Sequence, residues 1–121
     1  MSLTDEDLRA AVMAVLSPET LCNCAVYVAL TPVASGSMLE FPQMAFTSPW
    51  DALMAFVDLD PMANWSHPAL FVLVSRASGE VRTVDAHLPP FRRAGDADPY
   101  EWRVLYRAPS VPDAVLAAAE I

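Results

Sequence analysis

The stretch SPWDALMAFVDLDP, Ser48 to Pro61, opens with the chemistry of a helix start. Ser48 is a residue type that caps orphaned backbone N–H groups, Pro49 suits the first helical position, and Asp51 sets a carboxylate at the positive end of a helix dipole. Leu53, Phe56 and Val57 then follow at i, i+3, i+4, one apolar stripe, and Asp60-Pro61 supplies a stop. This reading predicts a helix in the middle of the chain.

Two further segments use the same device. Thr4-Asp5-Glu6-Asp7 precedes Leu8, Ala11, Val12, Val15 and Leu16, which share a helical face, and Ser17-Pro18 ends the pattern. Ser110-Val111-Pro112-Asp113 precedes AVLAAAEI, an alanine-rich segment expected to form a C-terminal helix.

The runs between these segments have the period of strands. Cys24, Val26, Val28 and Leu30 alternate with Ala25, Tyr27 and Ala29; both faces are apolar, as in a central strand. LFVLVS and EVRTVDA flank Arg76-Ala77-Ser78-Gly79, which reads as a hairpin with glycine at the left-handed position. Trp102, Val104 and Tyr106 alternate with Arg103, Leu105 and Arg107, a half-buried strand with an arginine face. SMLEF and QMAFT, split by Pro42, suggest an edge strand interrupted by a bulge. The expected fold is α+β. It has a single-layer antiparallel sheet of about four to five strands and three helices, with the N- and C-terminal helices on one face of it. The 121 residues suit one compact domain over 1–121.

Composition narrows the function. The chain is 55% apolar, with a formal charge of −8. That apolar content excludes disorder and exceeds what a small core hides, which points to a partner surface or a homodimer. The acidity argues against nucleic acid, because phosphate neutralisation needs a basic face. All seven cations are arginine, so no lysine chemistry is available. Abundant Ala, Val and Pro with no lysine fit a bacterial, GC-rich coding bias. The uncharged window between Glu19 and Glu40 contains polar and turn residues, and its apolar part, CAVYVAL, is too short to cross a bilayer. The acidic MSLTDEDLR start is unlike a signal peptide, so a cytoplasmic location is expected.

Catalytic signatures are thin. Cys24 or Ser66 as nucleophile, His67 or His87 as base, and Asp85 to orient the imidazole make a triad on paper, and the same His67, Asp85 and His87 make a candidate pocket or metal set. No glycine-rich loop, nucleophile elbow or H-E-x-x-H motif supports them. Cys22 and Cys24, at i and i+2, would share a strand face, but two thiols do not complete a zinc site. No cofactor or metal is expected.

Two features suit binding instead. Trp65, in the proline-bounded NWSHP loop, is either a core seal or an interface anchor. Asn64-Trp65-Ser66 also matches the glycosylation sequon, which has no use without a secretory route. Arg92, Arg93, Arg103 and Arg107 make the one positive cluster, able to grip a carboxylate or phosphate if they share a face, or else to pair with acids such as Asp96, Asp98 and Glu101. The leading expectation is a small non-enzymatic accessory, inhibitor or immunity-type protein that binds another protein or peptide. The alternatives are a small enzyme or ligand binder around His67, Asp85 and His87, and a structural homo-oligomer.

Overall fold

Residues 25–29 (AVYVA) are buried throughout, with apolar groups on both faces, so this segment forms an interior strand. In the computed structural model, which describes residues 4–41, 43–62, 68–91 and 100–118, it is β1 (Ala25–Ala29). Its neighbours are β4 (Ala52–Asp58) and β7 (Trp102–Arg107). Beyond β4 come β5 (Ala69–Ser75) and β6 (Val81–Ala86), so the five-stranded antiparallel sheet runs β6-β5-β4-β1-β7. A separate hairpin pairs β2 (Met38–Phe41) with β3 (Met44–Thr47). The helices are α1 (Asp5–Ala14) and the single turn α2 (Pro18–Leu21). The fold is broadly α+β and rich in sheet.

The expected central helix is instead β4, paired with β1 and β5. Leu53 and Val57 lie on one face of this strand and Phe56 on the other. An apolar run with both faces buried fits an interior strand as well as a helix, and only pairing partners decide between them. The residues that resembled a helix cap build a turn. Ser48 Oγ donates to the Trp50 carbonyl at 2.6 Å, and Asp51 Oδ1 accepts from Ser35 N at 2.8 Å.

The expected C-terminal helix is also absent from the described residues. A 3-10 turn, Asp113–Val115, gives way to extended backbone at Leu116. Leu116 and Ala118 pack on the sheet's aromatic face, and Ala117 N donates to the Tyr27 hydroxyl at 3.1 Å. So short a helix is marginal alone, and these tertiary contacts outweigh alanine's propensity. Among the described residues there are therefore two α-helices where three were expected, and no C-terminal helix packs on the sheet.

Two local expectations hold, at the first helix cap and at the β5–β6 turn. At the start of α1, Thr4 and Asp7 form a reciprocal capping box, and Leu8 and Val12 are buried with Val26, Val57 and Val72 on one face of the sheet. The helix ends at Ala14, so Leu16 joins this cluster from beyond it, and Val15, expected on the same face, is exposed. The 76–79 turn joins β5 to β6, with Gly79 at φ +76, where a Cβ would strain the backbone. The SMLEF–QMAFT segment is not one bulged edge strand. The chain reverses between Phe41 and Met44, with Gln43 at φ 63. This hairpin places Leu39, Phe41 and Phe46 on the second face of the sheet, where Phe41 stacks on Phe71 at 4.5 Å between centroids. Burying a ring such as that of Phe71 contributes roughly 1.5–3 kcal/mol. Among the described residues, no helix is long and apolar enough to cross a membrane.

Candidate functional site

The arginine face expected on β7 is broken by a bulge. Val26 pairs with Tyr106 and Tyr27 with Val104, leaving Leu105 as the extra residue. Alternation therefore restarts. Arg103 lies opposite Val28 on the α1 face, and Arg107 lies opposite Ala25 on the aromatic face. Arg103 Nη1 donates to the Trp102 carbonyl at 2.8 Å, while Arg107 ion-pairs with Asp113 and donates to the Val111 carbonyl at 3.2 Å. The two guanidinium groups form no common patch. Arg92, Arg93, Trp65, Ser66 and His67 lie outside the described residues.

Of the paper triad, Asp85 sits on β6 and His87 just beyond it, both exposed. Among the described residues, no group of three His, Cys, Asp or Glu side chains is placed to hold a metal ion. Cys22 and Cys24 do not share a face: Cys22 is the exposed C-cap of α2, while Cys24 precedes β1 and is fully buried, and both are free thiols. Burial pushes the Cys24 thiol up to about 11, and nearby Asp58 and Cys22 add to the rise. At neutral pH it is protonated and shielded, a poor nucleophile.

A cavity lined by described residues lies at the end of the sheet where β1 and β5 begin and β4 and β7 finish. It measures about 420 Å³ and is lined by Asn23, Leu59, Asp60, Met62, Pro68, Ser110 and Val111. Two side chains stiffen its wall: Asn23 Nδ2 donates to the Glu19 carbonyl at 3.2 Å, and Ser110 Oγ to the Cys22 carbonyl at 3.1 Å. Asp60 N donates to Asp58 Oδ1 at 3.1 Å, which fixes the turn and leaves the exposed Asp60 carboxylate without a partner among the described residues. Met62 is 64% exposed.

The arrangement is a trough of mixed character, with Leu59, Met62, Pro68 and Val111 beside the polar Asn23 and Ser110 and the acidic Asp60. It suits a long side chain with an aliphatic stem and a cationic head. Sequence reasoning did not find it, because Asp60-Pro61 read as a helix stop and Ser110 as a helix cap. Their meeting depends on strand order. Comparison with protein families, with curated proteins and with solved structures gives no match.

Proposed function

We propose that this protein is a binding module for another protein or peptide, and that it receives a basic side chain of that partner at the end of the sheet. The observation that carries this reading is the Asp60 carboxylate, exposed and without a partner among the described residues, beside Leu59, Met62, Pro68 and Val111 in a cavity of about 420 Å³. An arginine or lysine would lay its stem along Met62 and Leu59 and place its charge on Asp60, with the Asn23 amide carbonyl as a second acceptor. The formal charge of −8 speeds encounter with a basic partner. An accessory, inhibitor or immunity-type role fits such a module.

An immobilised peptide array tests the reading. Bound peptides should be enriched in Arg or Lys flanked by apolar residues, and Asp60→Asn should weaken them about tenfold or more with unchanged circular dichroism. Binding with no cationic preference, or binding indifferent to Asp60→Asn, would overturn it.

A further inference from the structure

The two edges of the sheet are built differently. On β7 the Leu105 bulge interrupts the ladder, and the Arg103 guanidinium covers the Trp102 carbonyl. Both are devices that blunt an edge against further pairing. On β6 neither device is present. Its register with β5 is unbroken from Val74↔Val81 to Ala69↔Ala86, it contains no proline, and Arg82, Thr83 and Asp85 are exposed.

The hydrogen bonds show which backbone groups of β6 look outward. Ser75 N donates to the Glu80 carbonyl at 2.8 Å, so Ser75 and Glu80 are a bonded pair. Antiparallel ladders alternate, so Arg82, Val84 and Ala86 also point their backbone groups toward β5. Val81, Thr83 and Asp85 therefore turn their N–H and C=O groups away from the sheet. A second antiparallel strand would find a row of donors and acceptors there.

Side-chain chemistry selects the occupant and its register. Two copies related by a twofold axis perpendicular to the sheet must pair residues of the same face. Centring the axis on Arg82 would set arginine against arginine, and centring it on Asp85 would set carboxylate against carboxylate, both repulsive. Centring it on Thr83 avoids both but sets the Asp85 carboxylate against the apolar Val81, and centring it on Val84 avoids that as well. Val84 then meets Val84 of the second copy, Arg82 meets the small Ala86, and Thr83 can donate its hydroxyl to Asp85. We infer that this protein forms a homodimer by antiparallel pairing of β6 with β6 about Val84, making one continuous sheet of ten strands from the five of each copy.

Mass measurement of the full chain by light scattering, across a concentration series, tests this first. A particle of twice 13.2 kDa is expected, and a monomer at the highest concentration would overturn the inference. Thr83→Pro removes only an outward N–H, where edge strands tolerate proline, and deletes two inter-copy bonds per dimer. It should weaken dimerisation about tenfold or more; a folded Thr83→Pro variant that dimerises as tightly as the parent would overturn the edge assignment. Val84→Cys in a Cys22→Ser background should cross-link copies under mild oxidation, because the pair at the axis brings two β-carbons within disulfide reach. A dimeric Val84→Cys protein that fails to cross-link would overturn the register. None of the residues lining the cavity lies on β6, so Asp60→Asn should leave the dimer intact.

Discussion

The hydroxyl of Tyr27, on the interior strand β1, accepts a hydrogen bond of 3.1 Å from the backbone N–H of Ala117, near the other end of the chain. Tyr27 is 1% exposed and meets Phe91 edge-on at 4.6 Å between centroids. Its hydroxyl is the polar point on an apolar face to which the C-terminal segment is tied. The Arg107–Asp113 ion pair adds a second tie.

Tyr27→Phe should keep the ring packing and lose this tie. Ala117 is exposed, so water can replace the lost acceptor, and the expected destabilisation is about 1 kcal/mol in denaturant unfolding. Amide exchange at Ala117 should quicken, while exchange within β4 and β5 should follow only the global change. Unchanged exchange at Ala117 would show that the hydroxyl does not hold the segment.

Alkaline pH should expose the buried thiol. The Cys24 thiol is pushed up to about 11 from an ordinary 9.0, chiefly by burial, so above pH 9 the unfolded chain loses a proton that the native protein keeps. Unfolding then becomes easier with rising pH, and stability should decline between about pH 9 and 11. Burial also raises the Tyr27 hydroxyl above 10.0, which extends the decline in the same direction. Cys24→Ala should flatten the first part of this profile. At neutral pH a thiol reagent should label Cys22 rapidly and Cys24 only on unfolding; equal labelling would contradict the burial of Cys24.

Ser48→Ala tests the turn that replaces the expected helix start. Ser48 is fully buried, and its Oγ–Trp50 carbonyl bond is 2.6 Å. Losing the donor should destabilise the protein by about 1–3 kcal/mol. A helix cap at the same residue would instead cost about 1 kcal/mol and lower the helical circular dichroism signal. A loss of stability with no change in helical signal is the expected result.

Leu8→Ala probes the attachment of α1 to the sheet. Leu8 is fully buried in the cluster with Val26, Val57 and Val72, so truncation should cost about 2–5 kcal/mol by thermal or denaturant unfolding. Met13→Ala, at a partly buried position, should cost less. Equal effects would mean that the helix does not pack through Leu8.

Much of the local structure was legible in the sequence because it is decided by near neighbours. The Thr4–Asp7 capping box, the 76–79 turn with its positive-φ glycine, and the doubly apolar β1 each depend on a few adjacent residues. The candidate site was not legible. Asn23, Asp60 and Ser110 are distant in the chain, and they meet because β1, β4 and β7 finish or begin at one end of the sheet. Asp85 and His87 carried catalytic promise only as residue types, and the structure leaves both exposed.

The sequence alone determined where apolar surface lies, where the first helix begins, where the β5–β6 turn sits, and that the protein is strongly acidic. Those properties follow from side-chain chemistry and short-range backbone preference. Tertiary structure decided whether DALMAFVDLD became helix or strand, because an apolar run with a cap at its head satisfies both until β1 and β5 offer it hydrogen-bond partners. It also decided which way the arginines of β7 face, since one extra residue opposite Val26 inverts every side chain on one side of the bulge. Pairing across the sheet is a long-range choice, and no local pattern encodes it.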